Sequence, residues 1–360
     1  MADQLRADID GLGVLCAQAA DWYATQGLRI SANIIEKDFW VTEALRILAR
    51  GHKQAAPSQN TYPVNVRAVF KGGTSLSKAY GLIDRFSEDI DVYLDISKQP
   101  DSTTPGAEKA GKNYTAPEFK LGNSRVDTLM KQVAAGVATE LGISQESWGT
   151  SRTGTKRGFR LTYPRPEAAA PLAGQMKDGV ILELVRMGTP DPNASHQLRS
   201  MLSHWAAMTG QLALGDYEEL QPFSIDVLAA ERTLVDKLCI LHDLGTAMSA
   251  DPTMGTGYHA RHYYDVHQLL SSPAVIQSLT AQQDLVSRYA KTAAAESAAV
   301  RRPTDNMRPE TGFADSPAFG NKVVKRAQSE YAREMRNLGF GDYPDLRAVA
   351  ALVRQHANLL

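Results

Sequence analysis

Two short segments hold residue types that could do chemistry together. Gly72-Gly73-Thr74-Ser75 closes a β-rich run from Val64 to Phe70 and opens a short helical pattern reaching Tyr80. A strand that ends in two glycines and turns into a helix start leaves backbone N–H groups pointing outward, with no Cβ to obstruct a phosphate. Thr74 and Ser75 add hydroxyl donors. Thirteen residues after Thr74 comes Ser87-Glu88-Asp89-Ile90-Asp91. Asp89 and Asp91, two apart on a strand, project to one face. Unpaired, two such carboxylates repel and raise each other's pKa. A divalent cation removes that conflict, and Mg²⁺ favours carboxylates combined with phosphate oxygens. A phosphate cradle beside a metal-binding acid pair is what phosphoryl or nucleotidyl transfer needs. Either motif alone reads more simply as a glycine turn or a solvated acidic strand face, while the two together favour the catalytic reading. The chain has no G-x-x-x-x-G-K-[ST] loop, which closes the P-loop route.

The elements that must position these residues follow from hydrophobic spacing. Leu5, Ile9, Leu12, Cys16, Ala19 and Tyr23 form one stripe of a 3.6-residue period, with Gly27 placed to end the helix. A second helix is expected from Ile35 to Ala49. Ile90, Val92 and Leu94 alternate with Asp89, Asp91, Tyr93 and Asp95, a strand with one apolar and one acidic face. The residues from 97 to 123 are poor in apolar side chains and read as a long mobile insertion. A helix carrying Val126, Leu129, Met130, Val133, Val137 and Leu141 follows. Gly158 to Tyr163 and Gly179 to Val185 read as strands, the second central in a sheet because Glu183 is its only acid. Helix is expected from Ile225 to Leu244 and from Tyr263 to Leu270, with turn-rich loops at 245–257 and 301–316. The fold class is an α/β (α+β) core with a mixed sheet, flanked by N-terminal helices and a helical C-terminal domain. The expected divisions are 1–50, 60–215 and 222–360.

Composition sets the limits. In 360 residues, 39 Lys plus Arg balance 40 Asp plus Glu, 43% are hydrophobic and 22% charged. Those proportions belong to a globular protein rather than a disordered one. No window approaches the ~18 apolar residues of a membrane helix. The acidic N-terminus is unlike a signal peptide, so the expected location is cytoplasmic, with no membrane partner. Cys16 and Cys239 are far apart, which excludes a disulfide scaffold and a cysteine zinc site. His259, His262 and His267 lack the spacing of a zinc set. No G-x-S-x-G elbow supports a serine hydrolase.

Phe70-Lys-Gly-Gly-Thr-Ser-Leu-Ser-Lys-Ala-Tyr, followed by Arg85-Phe-Ser-Glu-Asp-Ile-Asp-Val, resembles the first motif of the AbiEii-type nucleotidyltransferases. These are toxins of bacterial toxin–antitoxin systems within the DNA polymerase β-like superfamily. Ile35-Glu-Lys-Asp-Phe-Trp-Val-Thr resembles the family's N-terminal helix. Glu231-Arg-Thr-Leu-Val-Asp-Lys-Leu and Arg261-His-Tyr-Tyr-Asp-Val resemble its two C-terminal motifs. The resemblance implies that Gly72, Gly73 and Ser87 face the nucleotide and that Asp89 and Asp91 bind Mg²⁺ or Mn²⁺. It also implies that Lys237 contacts the triphosphate and that Asp265 belongs to the active site. Asp236 stands where a glutamate often precedes that lysine. Read from spacing alone, Lys237 at the edge of a helical stripe snorkels to water, and Asp265 pairs with Arg261 at i, i+4. Glu183 is either a third carboxylate of the site or an edge or buried acid paired with Arg186.

The implied activity is transfer of a nucleoside monophosphate from an NTP to an acceptor, in a growth-inhibiting toxin with a cognate antitoxin and a role in phage defence. On this reading, Asp89→Ala or Lys237→Ala should abolish toxicity while leaving thermal stability nearly intact. Arg152, Lys156, Arg157, Arg160 and Arg165 form a basic stretch without an acid, and residues 301–336 carry eight basic against five acidic side chains. Both suit an RNA acceptor such as tRNA. The alternatives are nucleotidylation of a protein or small molecule, and a partner that binds NTP without transfer.

Overall fold

The computed structural model describes residues 4–53, 65–87, 89–95, 117–150, 156–166, 178–186, 190–213, 215–299, 308–309 and 311–360. Two compact units divide the chain: Met1–Ala79 with Phe86–Val227, and Tyr80–Arg85 with Leu228–Leu360. The N-terminal helices, expected as a segment of their own, belong to the same unit as the sheet.

The first unit opens with helices α1 (Ile9–Thr25) and α2 (Ala32–Ala49). Strands β1 (His52–Lys53) and β2 (Asn65–Lys71) follow, then the short helix α3 (Gly72–Lys78) and strand β3 (Asp89–Asp95). Helix α4 (Pro117–Leu141) leads into β4 (Ser144–Thr150), β5 (Lys156–Thr162), β6 (Val180–Val185) and β7 (Asn193–Leu198). Helix α5 (Met201–Thr209) and β8 (Phe223–Leu228) complete the set. The strands form one mixed sheet in the order β4-β5-β6-β3-β2-β8-β7, with β1 joined to β2. β3 runs parallel to β6 and antiparallel to β2, and β2 runs parallel to β8. The acid-bearing strand is therefore interior, which is why Ile90 and Val92 are fully buried and why β6 is apolar but for one residue.

Helix α2 is buried along nearly its whole length, charged residues included. Such burial is tolerated because these side chains are paired. Arg46 bonds Glu43 at 2.9 Å and the carbonyls of Glu219 and Gln221. Asp38 accepts from Lys78 Nζ at 2.5 Å and from the Met201 amide at 2.7 Å. One carboxylate thus ties the end of α3 and the start of α5 to α2, and fixes where the Gly72-Gly73 turn sits.

The second unit holds α6 (Ala230–Ala250), α7 (Arg261–Ser271), α8 (Pro273–Ala281), α9 (Leu285–Ala299), α10 (Asn321–Leu338) and α11 (Leu346–Gln355). No helix among the described residues is long and apolar enough to cross a membrane.

Three expectations are corrected. Residues 225–228, expected in a helix, belong to β8: Phe-Ser-Ile-Asp-Val-Leu alternates with period two, and pairing with β2 decides for strand. Residues 117–123 lie in α4, so only 97–116 remain of the expected insertion, and those fall outside the described residues. Helix α6 runs through Gly245 to Ala250 instead of ending before it. Gly245 is there for space. A Cβ would lie 2.2 Å from the Ala318 amide nitrogen and 2.5 Å from its Cα. Because these are backbone atoms, Gly245→Ala must push the two segments apart, at a cost of about 1–3 kcal/mol. Thermal denaturation of Gly245→Ala should show a midpoint several degrees lower. An unchanged midpoint would mean that the contact is loose.

Candidate active site

Strand register assembles an acidic row within the first unit. Lys71 on β2 lies opposite Asp91 on β3, and Asp91 lies opposite Glu183 on β6. Glu183 in turn faces Gly158 on β5. Directly opposed residues share a sheet face at strand spacing, ~4.8 Å, so Lys71, Asp91 and Glu183 form one row. Asp89, two residues earlier, shares Asp91's face. Asp91 and Glu183 stand directly opposite each other on adjacent parallel strands. Burial and then the Glu183 charge push the Asp91 pKa up to about 7, against the pull of Lys71 and Lys156. Lys156 Nζ sits 2.5 Å from Glu183 Oε2 and is an ion-pair partner of Glu183. Lys71 extends over the Tyr93 ring, its Nζ 4.4 Å from the centroid.

The glycine turn is shaped around Asp91. Gly72 has φ +81°, and a Cβ there would lie 2.4 Å from Asp91 Oδ2. No other residue both adopts this backbone readily and leaves room for the carboxylate. Gly72→Ala should therefore move Asp91 as well as strain the turn. The expected results are a loss of 1–3 kcal/mol of stability and a fall in activity beyond what that accounts for, measured by denaturation and rate on the same sample. Gly73 follows in the first turn of α3. Thr74 and Ser75, expected as donors to a phosphate, are buried. Thr74 Oγ1 donates to the Asp89 carbonyl at 2.5 Å and lies 3.0 Å from Ser87 Oγ. Ser75 Oγ donates to the Gly72 carbonyl at 2.8 Å. Both hydroxyls brace the turn, and the one from Thr74 fixes the entry of β3, where Ser87 and Asp89 are partly exposed.

The second unit carries a buried ionic cluster. Asp265 on α7, fully buried, takes a two-pronged bond from Arg85, with both N···O distances 2.7 Å. Lys237 on α6 brings its Nζ to 2.6 Å from Asp265 Oδ2 and 3.3 Å from His262 Nδ1. Burial works against the Asp265 anion, but Arg85 and Lys237 overcome it and hold the carboxyl well below its ordinary value. Burial lowers the Lys237 pKa in spite of Asp265. His262, with its pKa pushed down to about 3 by burial and by Lys237, is neutral, so its Nδ1 accepts from the ammonium. Lys237 does not snorkel: it is 5% exposed. Burial of this kind predicts that Lys237→Ala costs stability, where the sequence led to an expectation of nearly intact stability.

The structure brings Gly72, Thr74, Ser75, Ser87, Asp89, Asp91 and Glu183 together in one unit, and Lys237 with Asp265 in the other. Arg85, Lys71 and His262 were given no role from sequence, and Lys156 only a place in the basic stretch. Arg85 stands inside the first motif, and that was its only signal. Among the described residues, no group of three or more His, Cys, Asp or Glu side chains is arranged to hold a metal ion. The acid row is still chemically suited to one. Its donors are hard carboxylate oxygens from adjacent strands, with Asp91 and Glu183 in register and Asp89 on the same face. Mg²⁺ typically uses one or two carboxylates and completes its shell with water and substrate phosphates.

The family model described as nucleotidyl transferase AbiEii toxin, type IV toxin–antitoxin system, matches residues 61–352. The chain belongs to the AbiEii family. Nucleotidyl transfer is accordingly its activity class, and the AbiEii match spans both units. Among solved structures the chain is similar to MenT4, a nucleotidyltransferase toxin from Mycobacterium tuberculosis H37Rv, at 19% identity and a TM-score of 0.46. That likeness covers 96% of this chain and 94% of the other. No curated protein matches the chain in sequence. The AbiEii assignment stands on the family model and on the motifs.

Proposed function

We propose that this AbiEii protein transfers a nucleoside monophosphate from an NTP to an RNA acceptor, with tRNA as the specific expectation, and does so as a growth-inhibiting toxin restrained by a partner antitoxin. The observation that carries the reading is the row Asp91–Glu183, in register on adjacent interior strands with Gly72 cut away to admit the Asp91 carboxylate.

Asp89, Asp91 and Glu183 would hold a divalent cation, Mg²⁺ or Mn²⁺. Such a cation supplies Lewis-acid polarisation of the phosphoryl oxygens and a more acidic attacking hydroxyl. The rest falls to side chains and backbone of the chain. The acceptor hydroxyl gives up its proton to solvent and attacks the α-phosphorus, the bond to the bridging oxygen breaks, and pyrophosphate leaves. Gly72, Gly73 and Ser87 contact phosphate oxygens through amides and a hydroxyl. Thr74 and Ser75 keep the turn that presents them. The family resemblance assigns Lys237 to the triphosphate; within its own unit, Asp265 and His262 hold the ammonium. Arg85 keeps Asp265 ionised.

Support for an anionic acceptor has moved along the chain. In the stretch 151–166, Arg157 pairs with Asp127, Arg160 with Glu146, Arg165 with Glu36 and Lys156 with Glu183, so each of these cations already has an acidic partner in the fold; Arg152 lies outside the described residues. On α10, in contrast, Lys322, Lys325, Arg333 and Arg336 are all exposed along one face, about 21 Å from end to end. The acids of that helix are turned elsewhere: Glu334 is buried and Glu330 accepts from Thr256 and Gly257. A basic stripe of this length suits a run of phosphates.

Purified protein incubated with total tRNA, Mg²⁺ and each α-³²P-labelled NTP in turn should label RNA, and Asp89→Ala should not. Label on protein would replace the acceptor in this reading. Nucleotide binding without transfer to anything would overturn it.

A further inference from the structure

The two lysines that flank the acid row are held differently. Lys71 is seated on the Tyr93 ring. The Lys156 side chain is 48% exposed, and its ammonium rests on Glu183 Oε2 at 2.5 Å. Lys156 stands opposite Val185, two residues along from the Gly158–Glu183 pair, and so reaches Glu183 diagonally across β5 and β6. A half-exposed ion pair of this kind is weak and exchangeable. It also occupies a carboxylate oxygen that a divalent cation would need.

We infer that Lys156 is an exchangeable counter-ion of the acid row, sitting on Glu183 until a divalent cation displaces it and then turning to a phosphate of the nucleotide. Two steps lead there. The ammonium and a dication compete for the same oxygen, and like charge forbids both at contact distance. Once released, the ammonium stays within one side-chain length of Glu183, and the anion that the reaction brings to that place is the nucleotide's phosphate. Lys156 is thus a positioning residue in the metal-free protein and a phosphate contact in the loaded one. The inference rests on the proposed reading of Asp91 and Glu183 as metal ligands, and its test separates the two.

The test is Lys156→Met in the full chain, which keeps the stem and removes the charge. Titration with Mn²⁺ alone, followed by calorimetry or by the paramagnetic signal of free Mn²⁺, should show binding about fivefold tighter than in the unaltered protein. Non-hydrolysable analogues of the four NTPs, titrated with Mn²⁺ present, should bind about fivefold more weakly. A residue of purely structural importance would not move the two affinities in opposite directions. Mn²⁺ affinity unchanged or weaker in Lys156→Met overturns the inference while leaving the acid site standing, provided that Asp91→Asn abolishes Mn²⁺ binding. Tighter Mn²⁺ with unaltered analogue binding overturns the phosphate contact. Mn²⁺ binding that is absent, or indifferent to Asp91→Asn, overturns the reading of the acids and the inference with it.

Discussion

Asp91→Asn should lower the rate of nucleotidyl transfer about a thousandfold or more, equivalent to roughly 4 kcal/mol of transition-state stabilisation, and should leave the protein as stable as before or more so. The second half of this expectation separates a catalytic acid from a structural one. Asp91 stands opposite Glu183, and burial followed by the Glu183 charge raises its pKa to about 7. The folded protein therefore binds this proton more tightly than the unfolded chain does. Between the ordinary carboxylate value and about pH 7 the folded state loses stability as pH rises, because its anion is disfavoured. Below that window the penalty is absent; above it the penalty is complete. In chelator-containing buffer, the melting midpoint of Asp91→Asn should match the unaltered protein near pH 4 and exceed it by a few degrees at pH 8. A midpoint lowered at every pH would show that Asp91 holds the sheet together, and the activity loss could then not be assigned to chemistry.

Asp265→Asn should do the reverse. Asp265 is fully buried and neutralises two buried cations, Arg85 and Lys237. Removing its charge strands both, and breaking a buried pair in this way costs about 3–5 kcal/mol. That corresponds to a fall of roughly 10 °C in the midpoint. The pH sign also differs. Burial opposes the Asp265 anion, but Arg85 and Lys237 lower its pKa well below the ordinary value. Its stabilisation is present above the unfolded carboxylate value and is lost only as pH falls through the folded one. The unaltered protein should consequently show an acid limb below pH 4 that Asp265→Asn lacks. Lys237→Met should cost less, because Arg85 still grips both carboxylate oxygens. A stable Asp265→Asn that had lost transfer would assign this residue to the nucleotide alone.

The two acids differ in how far their surroundings could be read beforehand. Asp89 and Asp91 announce themselves by their spacing on a strand with alternating apolar residues, and Gly72-Gly73 by its place between strand and helix. For Glu183, spacing left open whether it was a third carboxylate or an acid paired with Arg186. Register brings it to Asp91, and its ion pair is with Lys156. For Asp265, helical spacing offered Arg261, yet the carboxylate is held by Arg85, 180 residues earlier. For Lys237 it offered solvent, yet the ammonium is buried. Each of these readings used neighbours along the chain, whereas the partners came from elsewhere in the same compact unit.

By itself, the sequence determined the elements around the glycine turn, the acidic face of β3, the mixed α/β class with its helical C-terminal half, and the family. These depend on periodicity and on ordered motifs, which are properties of adjacent residues. Only the tertiary structure decided that 223–228 is a strand, that Lys71, Asp91 and Glu183 form one row, that Lys156 rests on Glu183, and that Arg85, Lys237 and His262 converge on Asp265. Strand register and buried charge pairing are set by which segments the core brings side by side. A one-residue slip of β6 against β3 would leave every local pattern intact and turn Glu183 to the opposite face.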